Sequence, residues 1–434
     1  MHKPILFAQL RAIMTTAVRG WVDKRSSPNR LYTPSDAGLA AFSAFFMQLP
    51  SFLAYQRLMQ QQRGRNNAQS LFGVQRIPSD PEIRNLLDPV AVADVREPFW
   101  AILALLDEAG YLADYCYAGD TLLSLDGTGH FGSQKIHCDQ CSTAVHGDTT
   151  YYAHTVLVPA LVQPGKPEIL VLEPEFITPQ DGAKKQDCER QAAKRWLARN
   201  ALRLPGRRVT LLADDLHCNQ PFCQQVIGHG LHFIMTCKPD SHPTLYEEVD
   251  ALTASGAVTT LTDRVWTGKE HELRTYRFVS QVPLCAEPDA LLVDWCELTT
   301  VGEATGEPLY HNTFATDHTV TDKTVRGIVV AGRCRWKIEN EGNNVLKNQG
   351  YHFEHNFGHG QQNLSLVLLS LLLLAFLCHT VLQLANAAYQ TIRAHLVTRQ
   401  DFFNDIRTLT RYMLFASWEA LMDYMLVQLE LHPP

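Results

Sequence analysis

The sequence predicts an α/β protein in which a mixed-sheet core is interrupted by a β-rich insertion and flanked by helical N- and C-terminal segments. Apolar residues recur at helical spacing over 1–118, and short apolar stretches bounded by turn residues dominate 119–253. Alternating apolar and polar residues fill 254–320 without an evident core helix. Helical patterns return over 321–386, where the core resumes, and over the tail 387–434.

The N-terminal segment is predicted to be helical and basic. AAFSAFFMQLPSFLAYQRLM and WAILALLDEAGYLADY carry apolar residues three and four positions apart, and Ser79 with Glu82 forms a capping-box pattern. Residues 1–76 contain ten Lys and Arg against two Asp and Glu, although the formal net charge of the chain is −7. Local positive faces of this kind can bind phosphates even in an acidic protein.

Five strands and a basic helix are predicted for the core. TLLSLDGT, TYYAHTVLVPALV and EILVLEPEFI are typical of strands, and RVTLLAD and HFIMTCK follow the helical pattern AKKQDCERQAAKRWLARNAL. Residues 183–208 hold nine Lys and Arg against two acids, Lys194 and Arg195 among them. The insertion is predicted to contain the strands AVTTLTDRVW, HELRTYRFVSQV, ALLVDWCELTTV and LYHNTFATD.

Composition favours a protein of the cytoplasm. The chain has 434 residues, of which 46% are hydrophobic and 19% charged, as in ordinary globular proteins. Its eleven cysteines are an odd number at irregular spacing, which fits a reducing compartment. The apolar stretch Leu364–Cys378 is shorter than the roughly 20 residues that span a bilayer, so we predict a buried core helix there.

Three acids are candidate ligands of a divalent cation. Asp126 follows the apolar stretch TLLSL, Asp214 follows VTLLA, and Glu339 lies in the helical pattern RCRWKIENE. If the first and fourth strands are neighbours, the two aspartates meet at adjacent strand ends. Carboxylates are the ligands that Mg²⁺ prefers, and two ions about 3.5–4 Å apart can stabilise the attacking and leaving oxygens of a phosphoryl displacement. Asp215 remains an alternative to Asp214, and Glu341 is a weaker alternative to Glu339.

Three stretches carry a family resemblance. LSLDGTGHF, LLADDLHCNQPF and RCRWKIENEGNNVLKNQGYHFEHNFGHG resemble bacterial insertion-sequence transposases of the DDE type, which have an RNase H-like catalytic core. The β-rich insertion is similar to that of the branch marked by Tyr, Arg, Glu and Lys around the catalytic glutamate. The resemblance covers about residues 121–384. It implies that Asp126, Asp214 and Glu339 hold Mg²⁺ or Mn²⁺, as two ions, for cleavage at transposon ends and strand transfer into target DNA.

The glutamate motif matches in part. Arg335 precedes Glu339 by four positions, as the motif requires, so both are expected on one helix face. The tyrosine position is Gly332 and the lysine position is Leu346, followed by Lys347. Roles that need the tyrosine, including the handling of hairpin DNA ends, are therefore not carried over. The departures leave the acid triad intact.

DNA is the predicted partner. Arg335 and Lys347 are expected to hold DNA phosphates, and the basic segments 1–76 and 183–203, the latter with Lys194 and Arg195, are candidates for reading transposon ends. The resemblance implies a homodimer on paired ends. Two other interpretations stay open: a transposase-derived protein retained for DNA binding without catalysis, and a metal-dependent nuclease that cleaves without strand transfer.

A second, structural metal site is a hypothesis. Cys138 and Cys141 form a CxxC pair, which is half of a zinc site or a redox pair. Cys218 and Cys223 follow the fourth predicted strand, so a structural Zn²⁺ would be held by the CxxC pair and completed by these two cysteines or by a histidine. The alternative is four ordinary reduced cysteines. A histidine cluster is interpreted as a DNA-backbone contact or local structure and comprises His352, His355 and His359.

Overall fold

The chain is a mixed α/β protein with a twelve-stranded mixed sheet and helical segments at both ends. The computed structural model describes residues 2–26, 30–59, 66–179, 189–204, 208–396 and 398–432. Parts of the two basic segments lie outside these residues, including Lys184, Lys185 and Arg207.

Helices fill the N-terminal segment, as predicted. The second helix shows why they begin where they do: the Thr33 hydroxyl accepts a hydrogen bond from the Asp36 N–H, the Asp36 carboxylate accepts from the Thr33 N–H, and Pro34 stands at the first position. The described helices are α1 (Phe7–Arg19), α2 (Pro34–Phe46), α3 (Phe52–Met59), α4 (Asn67–Phe72), α5 (Asp80–Leu87) and α6 (Glu97–Glu108).

The central part of the sheet has the strand order of an RNase H-like core. A long antiparallel pair, β2 and β4, is followed by two parallel strands, β7 and β8, which gives the order β4-β2-β7-β8. Short β1 pairs with β2, and three strands share the outer edge of β4: β3, β5 and β6. The elements are β1 (Cys116–Tyr117), β2 (Asp120–Ser133), β3 (Ser142–His146), β4 (Thr149–Val162), β5 (Leu170–Val171), β6 (Glu175–Ile177), α7 (Glu189–Asn200), β7 (Arg208–Ala213), α8 (Gln220–Gly228) and β8 (His232–Thr236).

The β-rich insertion extends this same sheet. After α9 (Pro243–Ala254), four antiparallel strands continue in the order β12-β11-β10-β9, and β12 pairs with β8 through three residue pairs. The predicted insertion is therefore confirmed as β structure and is joined to the core edge to edge. Its strands are β9 (Thr259–Trp266), β10 (His271–Pro283), β11 (Leu292–Gly302) and β12 (Pro308–Thr316).

Helices return after the insertion, and one of them forms the centre of the helical part. α12 packs against α2, α5 and α6, and it is the helix of the described chain that is long and apolar enough to cross a membrane, with 94% of its most apolar window buried inside the protein. The helices are α10 (Val325–Arg333), the π-helical segment Ile338–Asn343, α11 (Asn344–Asn348), α12 (Leu364–Ala385), α13 (Ala387–His395), α14 (Arg399–Tyr412) and α15 (Trp418–Gln428).

Candidate functional site

Asp126 and Asp214 lie at matching positions on the two central parallel strands. β2 and β7 pair with Ser124 opposite Leu212, an offset of 88 positions (212 − 124), and the same offset separates the two aspartates (214 − 126). Both side chains therefore project on the face of the sheet shared by Ser124 and Leu212. β7 ends one residue before Asp214, whereas β2 continues beyond Asp126 alongside β4.

The Asp126 carboxylate is held among other acids in a largely buried position. Its side chain is 18% exposed, its Oδ2 accepts a 2.8 Å hydrogen bond from Asn343 Nδ2, and its Oδ1 lies 3.7 Å from Arg335 Nη1. Burial raises the pKa of Asp126 to about 7; the negative charge of Glu339 adds to this rise, and Arg335 opposes it. A carboxylate under such repulsion would be stabilised in its charged form by a cation.

Asp214 is oriented by a histidine. The His217 imidazole is fully buried, and its Nδ1 lies 2.9 Å from Asp214 Oδ1, which also accepts a 3.1 Å hydrogen bond from the Leu216 N–H. Burial works against the charged form, but the hydrogen bond and charge of His217, with a contribution from Arg335, keep the pKa of Asp214 below its usual range.

Asp215, the alternative ligand, is engaged elsewhere. Its carboxylate accepts hydrogen bonds from the Lys238 N–H at 2.7 Å and from the Ser241 hydroxyl, and it lies 3.4 Å from His242 Nδ1. These contacts fix the turn after β8. Asp214 is thus the aspartate of the pair that is placed beside Asp126.

Glu339 reaches the same cluster from a π-helical segment. Arg335 Nη1 donates a 2.9 Å hydrogen bond to Glu339 Oε1, so the predicted contact at a spacing of four residues is present, and Glu341 does not make it. The helix predicted here is divided into α10, the π-helical segment and α11. π-Helical turns occur frequently at functional sites, and this one brings both Glu339 and Asn343 towards Asp126.

Arg335, predicted to hold a DNA phosphate, lies between the acids. Its side chain is only 9% exposed, and one nitrogen, Nη1, approaches both Asp126 and Glu339. The acid triad is not among the described groups whose ligand atoms all lie within 4.8 Å of one another. The guanidinium thus occupies space between two of the three carboxylates.

A fourth carboxylate, Glu189, was missed by the sequence analysis. It begins α7, and its carboxylate lies against the backbone of Gly127, directly after Asp126. Burial raises the pKa of Glu189, His217 opposes this rise, and Asp214 adds to it. The only signal in the sequence was the glycine after Asp126, because a Cβ there would lie 2.3 Å from Glu189 Oε2.

The other predicted DNA-binding residues have intramolecular roles. Lys347 Nζ pairs with Glu354 at 2.9 Å. Arg195 Nε donates to Glu175 at 2.9 Å, and its Nη2 donates to a backbone carbonyl at 3.0 Å. Lys194, partly exposed on α7, is adjacent to this ion pair. Much of the positive charge of α7 is therefore matched by acids of the core.

A Cys₂His₂ group forms a separate candidate metal centre. The ligand atoms of Cys138, Cys141, His154 and His359 all lie within 4.8 Å of one another. The two sulfurs are 4.0 Å apart, His154 Nε2 lies 3.6 and 3.5 Å from them, and His359 Nε2 lies 3.4 Å from Cys141 Sγ. Tetrahedral zinc, with bonds of about 2.3 Å to sulfur and about 2.0 Å to nitrogen, would separate two sulfurs by about 3.8 Å and sulfur from nitrogen by about 3.5 Å.

The prediction that Cys218 and Cys223 complete this group is wrong, and the histidine alternative is the one that the geometry matches. His154 of this group pairs with Phe131, five residues beyond Asp126 on β2 (131 − 126), so the group lies roughly 17 Å beyond the acids at about 3.3 Å per residue. Cys218 instead belongs to a buried group with Cys237 and His242, and Cys223 is buried in the core. His359, interpreted from sequence as a DNA contact or local structure, is a member of the metal group.

A third group that could hold a metal lies at the opposite end of the central strands. It comprises His232, Asp317 and His318. His232 Nδ1 is 2.7 Å from Asp317 Oδ2, and His318 Nε2 is 2.8 Å from the Thr210 hydroxyl. Asp120 Oδ2, at the beginning of β2, lies 3.4 Å from the same His318 nitrogen.

The chain thus combines an RNase H-like sheet, a cluster of acids just beyond the parallel pairing of β2 with β7, and separate Cys/His and His/Asp groups with the donor types of metal sites. It matches no protein-family model and no curated protein sequence.

Proposed function

We propose that this protein is a DNA transposase that uses Asp126, Asp214 and Glu339 for metal-dependent phosphoryl transfer. One observation carries the proposal: the offset of 88 positions between the aspartates equals the register of the two parallel strands, and Glu339 is close enough to raise the pKa of Asp126. Glu339 and Asp214, both distant from Asp126 in sequence, are near enough for their negative charges to raise its pKa.

The donor set fits Mg²⁺ or Mn²⁺. All three proposed ligands are carboxylates, and hard oxygen donors are what these ions require. Two such ions, when bound, would supply charge stabilisation to the attacking and leaving oxygens. The Arg335 guanidinium now partly neutralises Asp126 and Glu339. It must therefore move away from these carboxylates before they can bind cations.

The other side chains would orient the ligands. His217 holds one oxygen of Asp214, and Asn343 donates to one oxygen of Asp126, so each aspartate keeps a second oxygen for a cation. Glu189, beside both strands, is placed to accept a proton from a water or hydroxyl nucleophile, since its raised pKa suits a base.

The reaction would proceed in two steps at one site. Water attacks the phosphodiester at a transposon end, the bond to the 3′ oxygen breaks, and a 3′-hydroxyl is released. That hydroxyl attacks a phosphodiester of target DNA, forming a new ester as the target's own 3′ oxygen leaves. Paired ends call for a homodimer on DNA, acting in the cytoplasm at the nucleoid.

The Cys₂His₂ group supports a second proposal, a structural Zn²⁺. Its four ligands come from the segment after β2, from β4 and from the loop before α12, so one ion would join the β2–β4 region to a loop 205 positions later (359 − 154). Four protein ligands leave no open position, as in structural rather than catalytic zinc sites.

Two rival functions share parts of this site. A nuclease would use the same acids without the second step, and a DNA-binding relic of a transposase would need none of them. Retention of all three acids, with their orienting partners, favours catalysis over the relic. Strand transfer alone separates the transposase from the nuclease.

In vitro strand transfer tests the proposal. Purified protein is mixed with a labelled duplex of its element's terminal repeat and a supercoiled target plasmid, with Mg²⁺ or EDTA. Wild type is compared with Asp126→Asn, and with Asp215→Asn as the matched control. Joined product that requires Mg²⁺ and Asp126 but survives the Asp215 change supports the transposase. Cleavage without joining supports the nuclease, and DNA binding without either step supports the relic.

A further inference from the structure

A large basic cavity lies between the helical tail and the loop after α11. Its volume is about 810 Å³. Three arginines line it from α13 and α14, together with His352, and none of the described lining residues is acidic. The arginines are Arg393, Arg399 and Arg407.

The charges of these arginines are not neutralised by carboxylates in the described part of the chain. Arg407 donates to the carbonyl oxygens of Met47 and Gln48 at 3.2 and 2.8 Å. Arg393 donates to the carbonyls of Leu396 and Thr398 at 3.2 and 2.9 Å. These neutral acceptors fix the guanidinium groups in place without cancelling their charge.

Arg399 is the strongest sign of a ligand. Its side chain is half-buried at the cavity wall, and among the described residues it makes no hydrogen bond or ion pair. By contrast, the basic residues first predicted to bind DNA, such as Arg195 and Arg335, are ion-paired with acids of the protein.

We propose that this cavity binds backbone phosphates of the DNA substrate, an inference that rests on the proposed function. Asn348, on its wall, is nine residues beyond Glu339 in the same helical stretch (348 − 339), or roughly 13 Å at about 1.5 Å per residue. Successive base pairs rise about 3.4 Å, so this separation corresponds to about four base pairs between a cleaved phosphate and one held in the cavity.

Salt-dependent DNA binding tests the cavity with the full-length protein. Anisotropy of a labelled duplex of about 30 base pairs is measured in EDTA from about 50 to about 200 mM KCl. The variant is Arg399→Gln, which removes a charge without removing a hydrogen bond. The matched control is Arg326→Gln, an exposed arginine paired with Asp263 far along the sheet. Equal unfolding temperatures for the three proteins establish that folding is unaffected.

We expect Arg399→Gln to weaken DNA binding about tenfold at low salt and to reduce the slope of log K against log salt by about 0.9. The Arg326 variant should match wild type. Unchanged affinity and slope in Arg399→Gln, or no DNA binding by wild type, would refute the proposal that the cavity binds DNA phosphates. So would calorimetric binding of inorganic pyrophosphate that depends on Arg399 while DNA binding does not, since a small phosphorylated ligand would then be the occupant.

Cleavage measured in parallel separates this inference from the proposed function. If wild type cleaves DNA with Mg²⁺ while the Arg399 variant binds DNA normally, the proposed catalysis is supported and the phosphate-binding role of the cavity is refuted. If the variant binds DNA more weakly and with a smaller salt dependence while wild type cleaves no DNA, the phosphate-binding role of the cavity is supported and the proposed catalysis is refuted.

Discussion

The carboxylate of Glu189 lies against the backbone of Gly127, and this contact depends on the absence of a side chain at position 127. A Cβ there would lie 2.3 Å from Glu189 Oε2 and 2.5 Å from Cδ. The residue after Asp126 must therefore be a glycine for the Glu189 carboxylate to fit beside it. It allows a carboxylate from α7 to approach the strand that carries the first acid of the triad.

Gly127→Ala should impair catalysis while leaving the fold intact. The clash falls on the far end of a flexible side chain, so Glu189 can move away, and the free energy of unfolding should change by less than about 1 kcal/mol. The displaced carboxylate should lower the cleavage rate by about tenfold or more. Single-turnover cleavage and thermal unfolding measure the two effects.

Gly132→Ala is the matched control for this change. Gly132 lies on the same strand, and a Cβ added there meets nothing within 4 Å. Its rate should equal that of wild type. Normal cleavage by the Gly127 variant would show that Glu189 has no part in the reaction.

Without divalent cations, the contribution of Asp126 to stability should fall as the pH rises. The pKa of Asp126 is raised from 3.8 to about 7, so the folded state holds a proton that the unfolded state has released between these values. Stability therefore falls as pH rises through this window, by roughly 2–4 kcal/mol from this group. The difference in unfolding free energy between wild type and Asp126→Asn, in EDTA at about pH 5 and about pH 8, measures this contribution, because the opposite effect of His379 is common to both proteins.

Asp126→Asn should remove this pH dependence, because the amide does not titrate. At the higher pH the variant should be more stable than wild type in EDTA, and Mg²⁺ should stabilise wild type alone. A variant that keeps the full pH dependence would mean that Asp126 is ionised freely in the folded protein.

Zinc should copurify with the protein at about one ion per chain. Cys138→Ser and His359→Asn should each lose the metal and lower the unfolding temperature by more than about 5 °C. Cys223→Ala is the control, since this buried cysteine lies outside the metal groups of the described chain, and it should retain zinc. Equal zinc content in all four proteins, or none in wild type, would refute the site.

Mild acid should destabilise the helical part through His379. Burial lowers the pKa of His379 to about 3, although the imidazole is bonded to the Phe46 carbonyl at 2.9 Å. A folded pKa below the unfolded value of 6.5 means that the stability of the neutral form is complete above this value and is lost as pH falls towards 3. From pH 6.5 to about pH 5 the loss should be about 2 kcal/mol.

His379→Gln should flatten this acid dependence, and exposed His395→Gln on α13 should leave it unchanged. Unfolding temperatures of the three proteins between about pH 5 and about pH 8 provide the comparison. The same acid sensitivity in wild type and His379→Gln would assign the effect to other groups.

The sheet and the two aspartates were predictable because their signals are local. Apolar stretches ending in acid mark strands, and the parallel pairing of β2 with β7 follows the expected strand order. The π-helical segment was not predictable, because its residues follow the pattern of an ordinary α-helix and carry no local sign of an extra residue per turn. Glu189 was hidden for another reason: it lies in a stretch dominated by positive charge.

The two histidines of the Cys₂His₂ group could not be predicted from the sequence, because only the folded chain brings them close to the CxxC pair. His154 lies within an apolar strand pattern, and His359 follows Cys141 by 218 positions. Counting charges along the sequence likewise does not show which charges are paired in the fold. The counts identified α7 as basic without revealing that Glu175 neutralises Arg195, and they passed over the tail, where Arg399 has no such partner among the described residues.

The burial of α12 has a consequence for how the chain is made. α2 is almost wholly buried and packs on α12, more than 300 residues later, and the Ile5 N–H bonds to the Ala385 carbonyl. During synthesis the apolar surface of α2 therefore remains exposed to solvent until α12 has been synthesised and has left the ribosome. A fragment ending near residue 118 should accordingly aggregate when expressed alone, and the N-terminal helices should reach their final packing only in the finished polypeptide.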